Sequence, residues 1–116
     1  MHIELAYDFT TNRITIKYSF AGDSFEITDD EVINNIVSKC NKASYNTIIN
    51  PTNSLCGMWI DFHNGLIIGI YEDTYYGYVG HSIEDISTGN SFDTSLPKKL
   101  VNLISSLINE YKSNGT

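Results

Sequence analysis

Asp61 and His63 stand two residues apart in Trp59-Ile60-Asp61-Phe62-His63. On an extended strand both side chains leave the same face, the placement an acid/base pair or a metal site would use. His81 reaches that face too in the strand pairing derived below. Leu66 separates the two histidines by two strand spacings, about 10 Å, whereas zinc gathers its ligands within about 2 Å of one point. No metal site is expected, and no cofactor. Cys56 points away from His63 and His81, so no base stands ready to activate it. Cys40 lies on an apolar helical stripe, and both cysteines are expected to be buried thiols. Paired carboxylates would suit glycoside or proton-transfer chemistry. Asp61 is the acid in the most apolar setting, facing Ile68 beside Trp59, but its natural partner Glu72 is several residues along the sheet. The chain has no G-x-S-x-G, no P-loop, no G-x-G-x-x-G opening a helix, no C-x-x-C and no H-E-x-x-H. The expectation is a protein that is not an enzyme, with no catalytic residue.

A different chemistry is better served. Trp59, Asp61, Glu72, Asp73 and Tyr75 fall together in the same pairing, close to a loop carrying Glu84 and Asp85. Aromatic anchors inside an acidic rim suit a surface that grips a cationic protein: the rings supply desolvated area and the carboxylates steer and discriminate. These seven residues are the expected partner-binding set. The competing expectation is that the last helix or an Asn-rich loop covers this face.

The element that must position them is Leu55 to His81, read as a three-stranded meander. Asn64-Gly65 is a strong hairpin signal, and a two-residue turn there pairs Phe62 with Ile67, Ile60 with Gly69 and Met58 with Tyr71. A second turn at Asp73-Thr74 pairs Tyr71 with Tyr76, Gly69 with Tyr78 and Ile67 with Gly80. One face then carries Cys56, Met58, Ile60, Phe62, Ile67, Tyr71, Tyr76 and Tyr78, and is the expected core, with rings over the gaps that glycines leave. Trp59, Asp61, His63, Leu66, Ile68, Ile70, Glu72, Tyr75, Val79 and His81 fall on the other.

The remaining elements follow from periodicity. Ile3, Leu5, Tyr7 and Phe9 alternate with polar residues, as do Ile14, Ile16, Tyr18 and Phe20, and a hairpin pairing Phe9 with Ile14 puts all of them on one side. Ser24 to Ile27 and Tyr45 to Ile49 are candidate short strands. Thr28-Asp29-Asp30-Glu31 opens a helix over 29–41 with Ile33, Ile36, Val37 and Cys40 as its stripe. Ser82 to Asp93 reads as an acidic loop. Thr94 or Ser95 caps a last helix, with Pro97 in its first turn and Leu100, Leu103, Ile104, Leu107, Ile108 and Tyr111 on its apolar side. The sum is an α+β fold, an antiparallel sheet in the order β-β-α-β-β-β-α with two helices packed on one face. Two hairpins in separate layers are the alternative.

Length and charge bound the rest. One domain over 1–116 suffices for the 116 residues. No apolar run approaches the ~20 residues of a membrane span, and MHIELAYDF reads as a strand without a secretory leader, so the expectation is a cytoplasmic protein. With 14 acidic and 7 basic residues the formal net charge is −7, which repels phosphate backbones and favours a basic protein over nucleic acid.

In size, charge, Asn/Ile-rich composition and mixture of elements, the whole chain resembles bacterial toxin-immunity proteins, including those of contact-dependent growth inhibition systems. The resemblance carries no diagnostic motif and so transfers no residue. It implies a one-to-one complex with a cognate, basic, nuclease-like toxin domain, formed by a monomer or weak homodimer. Two other classes stay open: a small-ligand-binding or homodimeric structural domain, and a small hydrolase or isomerase using Asp61 with His63 or His81.

Overall fold

The structure, a computed structural model, describes residues 4–5, 7–19, 21–43, 45–46, 56–81 and 92–114. β2 (Ile14–Lys17) buries Ile14 and Ile16 fully on one face. β3 (Ser24–Ile27) folds back on one side of β2, and β5 (Cys56–Asp61) lies on the other. β6 (Ile67–Tyr71), β7 (Tyr76–Gly80) and β8 (Phe92–Ser95) complete an antiparallel six-stranded sheet in the order β3-β2-β5-β6-β7-β8. A separate two-stranded ribbon joins β1 (Glu4–Leu5) to β4 (Tyr45–Asn46) and sits beside β8. The fold is α+β, and the expected order β-β-α-β-β-β-α is kept with β3, β4 and β8 added.

The expected first hairpin is not formed. Ile14 pairs with Ile27, not with Phe9, and Leu5 pairs with Tyr45. Period-two alternation states which way a residue faces, and Phe9, Ile14 and Ile16 are all buried as it requires. It does not state which strand lies alongside. Here β2 pairs with the strand that follows it: Tyr18 N–H donates to Asp23 C=O at 2.9 Å, and Gly22 supplies a φ of +96°, closing the turn onto β3. Phe9 instead packs on Phe62, with ring centroids 4.8 Å apart.

The meander departs from expectation by one residue, with large consequences. Asp61, not Phe62, lies opposite Ile67, and Phe62 N–H donates to Leu66 C=O at 3.2 Å across a His63-Asn64-Gly65 loop. The β6–β7 pairing is the expected one, Gly69 opposite Tyr78 and Ile67 opposite Gly80. A single-residue slip inverts a strand. Ile68, Ile70 and Val79 therefore join Met58, Ile60 and Phe62 on the helix side, while Ile67, Tyr71 and Tyr78 gather with Trp59 on the opposite side. A bulge at Gly57 brings Cys56 to that second cluster. The expected core face is thus split between two clusters, and Tyr76 is 44% exposed.

α1 (Asp30–Lys42) starts where its sequence says: the Asp29 carboxylate accepts from the N–H groups of Glu31 and Val32, and Ile33, Ile36, Val37 and Cys40 are buried. α2 (Lys98–Asn114) buries Leu100, Val101, Ile104 and Ile108. Thr94 and Ser95 do not cap it; they belong to β8, opposite Gly77 and Tyr76. Both helices cover the face of Ile14, Ile16, Ile60, Ile68 and Ile70, and they touch each other there. Neither described helix is long and apolar enough to cross a membrane.

Candidate functional site

The turn between β6 and β7, Glu72 to Tyr75, is built locally. Thr74 N–H donates to Tyr71 C=O at 3.3 Å, and the Thr74 hydroxyl lies 3.2 Å from the carbonyls of both Tyr71 and Tyr76 while accepting from Tyr76 N–H at 3.1 Å. Asp73 takes a φ of +60°, a left-handed conformation that Asp tolerates better than most residues. The turn is fastened at both ends of Tyr75: its carbonyl accepts from the N–H of Leu96, between β8 and α2, at 2.8 Å, and its hydroxyl donates to Asn102 Oδ1 on α2 at 3.2 Å.

Between this turn, the start of β5 and the first half of α2 lies a cleft of about 400 Å³. Glu72, Asp73 and Tyr75 form one wall, Asn102 and Ser105 the other, and Met58 the floor. Gly57 lines it as well, and a Cβ there would come 3.3 Å from the Cβ of Glu72, a tight approach. Glu72 and Asp73 are exposed, and Tyr75 is 38% exposed. The Lys98 ammonium stands 5.4 Å from the Tyr75 ring centroid, so the ring already attracts a cation.

Three of the expected partner-binding residues, Glu72, Asp73 and Tyr75, are therefore brought together. Trp59 is not among them. It is 4% exposed, packed with Cys56, Ile67 and Tyr71 under the Lys17 ammonium at 4.8 Å, because the register slip gives its face a cluster of its own. Asp61 is separated as well, at the other end of β5 beside His63. Glu84 and Asp85 lie outside the described residues, as do most of the expected 82–93 loop and the end of the expected 45–49 strand. Asn102 and Ser105, three apart within the apolar pattern of α2, were missed; polar groups interrupting that stripe were the available signal. So was Lys98, a cation at the end of a helix that repels cations.

The Asp61 end of the sheet holds the nearest approach to a catalytic constellation. His63 Nε2 lies 2.7 Å from Thr15 Oγ1, and His63 Nδ1 lies 3.8 Å from Asp61 Oδ2. Arg13 Nη2 also lies 3.0 Å from Nδ1. Arginine only donates, so Nδ1 must accept and the proton sits on Nε2, aimed at Thr15. A base that already holds that proton cannot take one from the hydroxyl. His81 is elsewhere, with its Nδ1 3.2 Å from Gly65 C=O. Among the described residues, no group of three or more His, Cys, Asp and Glu is placed to hold a metal ion. Cys40 and Cys56 are both buried, and burial pushes the Cys40 thiol up to about 12 against a hydrogen bond with Tyr45 that pulls it down.

Comparisons with protein-family models, with curated proteins and with solved structures find no significant match.

Proposed function

We propose that this chain is an immunity-type inhibitor that binds and neutralises a cognate, basic, nuclease-like bacterial toxin domain in the cytoplasm of the cell that makes it. The docking surface is the Glu72–Tyr75 turn with the cleft behind it. One observation carries this: Glu72 and Asp73 are exposed beside a tyrosine ring, and neither forms an ion pair among the described residues. Several of the basic residues that could have neutralised them are already engaged. Lys17, Lys98 and Lys112 lie over the rings of Trp59, Tyr75 and Tyr18, and Arg13 pairs with Glu26 at 3.5 Å. An exposed acidic pair with no ion pair among the described residues attracts a basic partner and occupies the ground its phosphate substrate would take.

The test is co-expression with the product of the neighbouring upstream gene, the place where this reading expects the toxin. Wild-type protein should rescue growth and form a one-to-one complex, and Tyr75→Ala with Asp73→Lys should lose both while remaining folded. Rescue that is indifferent to these two substitutions would refute the surface, and the absence of any complex would refute the function. A second reading, small-ligand binding, is favoured by the size of the cleft, which falls at the lower end of ligand pockets. It differs in outcome: a small amine would then bind with the affinity expected of the partner.

A further inference from the structure

The two edges of the six-stranded sheet are treated differently. The ribbon of β1 and β4 stands next to β8, whereas no described strand pairs with β3 on its far side. Tyr18 and Asp23 form a hydrogen-bonded pair, so by antiparallel alternation Phe25 and Ile27 direct their backbone groups to β2. The N–H and C=O groups of Ser24 and Glu26 then point away from the sheet. Both residues are exposed, as is Thr28 after them.

Beneath this edge runs a groove of about 380 Å³ between the start of α1 and the end of α2. Phe25 and Tyr111 stack along it with ring centroids 4.5 Å apart and planes 12° from parallel, and Tyr111 is 42% exposed. Val32 and Leu107 add apolar floor, and Asp29 and Glu110 stand on its rim. An open strand edge supplies main-chain hydrogen bonds, and an apolar groove below it selects alternate side chains.

We infer that the free edge of β3 is a docking site for an extended, lysine- or arginine-bearing segment of a protein partner, which adds to the sheet as a seventh strand and lays alternate side chains in the Phe25–Tyr111 groove. Charge selects this occupant over a second copy of the chain. Self-pairing would bring Glu26 of each copy toward the other and join two bodies of formal charge −7, and like charges across a strand pair oppose it. A cationic strand meets Asp29 and Glu110 with the opposite sign, and at Glu26 it competes with Arg13, whose Nε lies 3.5 Å from the carboxylate. The site is separate from the Glu72–Tyr75 cleft and does not depend on what binds there.

The probe is a nine-residue peptide alternating lysine and valine, with glutamate-valine and backbone N-methylated versions as controls, followed by amide NMR on the whole protein. At saturation, exchange of the Ser24 and Glu26 amides should slow at least about 10-fold, with shifts at Phe25 and Tyr111. The N-methylated and glutamate peptides should bind at least about 10-fold more weakly. Ser24→Pro, which removes an outward-pointing N–H and leaves the Glu26 carboxylate in place, should weaken the lysine peptide similarly. If that variant fails to fold, the N-methylated peptide makes the same test on intact protein. Unchanged exchange at Ser24 and Glu26, equal binding of the glutamate peptide, shifts confined to residues 72–75, or slowing that grows with protein concentration alone would each overturn the inference.

Discussion

The two turns of the central meander invite comparison, because each places a residue other than glycine at positive φ, His63 at +56° and Asp73 at +60°. At the first turn the side-chain groups are engaged. Arg13 and Thr15 hold both nitrogens of His63, the Asn64 amide donates toward the carbonyls of Asp8 and Thr10, and the Asn64 oxygen accepts from Leu66 N–H at 3.1 Å. At the second turn the backbone is fastened by Thr74 and Tyr75, yet Glu72 and Asp73 extend into solvent with no ion pair among the described residues. Polar groups that meet the chain's own groups hold the register. Polar groups with no such engagement are the ones left for another molecule.

The contrast can be broken most directly at Asn64. Asn64→Ala removes three partly exposed hydrogen bonds, two of which tie the loop to the chain entering β2, and should cost about 2 kcal/mol in urea unfolding. A loss as small as that of an ordinary surface substitution would mean that the first turn is no more structural than the second. His63→Ala should cost about 1 kcal/mol, and His63→Gly less, since glycine sheds the positive-φ penalty while losing the same bonds. Equal losses would show that the backbone conformation carries no cost. Reversing both charges with Glu72→Lys and Asp73→Lys should cost no more than about 1 kcal/mol, most of it from the positive φ at Asp73, which lysine adopts less readily. The smallest effect is at Asp8, whose carboxyl is held below its ordinary value by hydrogen bonds from the Thr10 hydroxyl and backbone N–H. A depressed folded pKa means that this support is present above the ordinary carboxylate value and is lost as pH falls through the lowered one. The stability gap between wild type and Asp8→Asn should therefore exist at neutral pH and close in strong acid; a gap that widens in acid would reverse the sign.

How far these features were legible in the sequence follows the range of the interactions that set them. α1 was readable, because Asp29 and its apolar stripe act within a few residues. The β6–β7 register was readable too, since Tyr78 covers the gap at Gly69. The Asn64-Gly65 corner misled because Asn-Gly serves two-residue and three-residue loops alike. The longer loop occurs here with the Asn64 amide near Asp8 and Thr10, which lie more than fifty positions upstream. That one added residue inverted β6 and β7, gave the second face its own cluster, and enclosed Trp59. Thr94 and Ser95 before Pro97 looked like a helix start because caps and strand ends share residue types. In the site, Glu72, Asp73 and Tyr75 could be found because a turn gathers its own neighbours. Asn102 and Ser105 could not, since only the packing of α2 on the sheet brings them to the turn.

The central claim is that the free carboxylates of the second turn steer a basic protein. Stopped-flow association of the proposed toxin partner with wild type and with the Glu72→Lys, Asp73→Lys protein, at low and high salt, measures this directly. At low salt the variant should associate at least about 10-fold more slowly, and the two rates should converge as salt screens the charges. Equal rates at low salt, with both proteins folded, would contradict it.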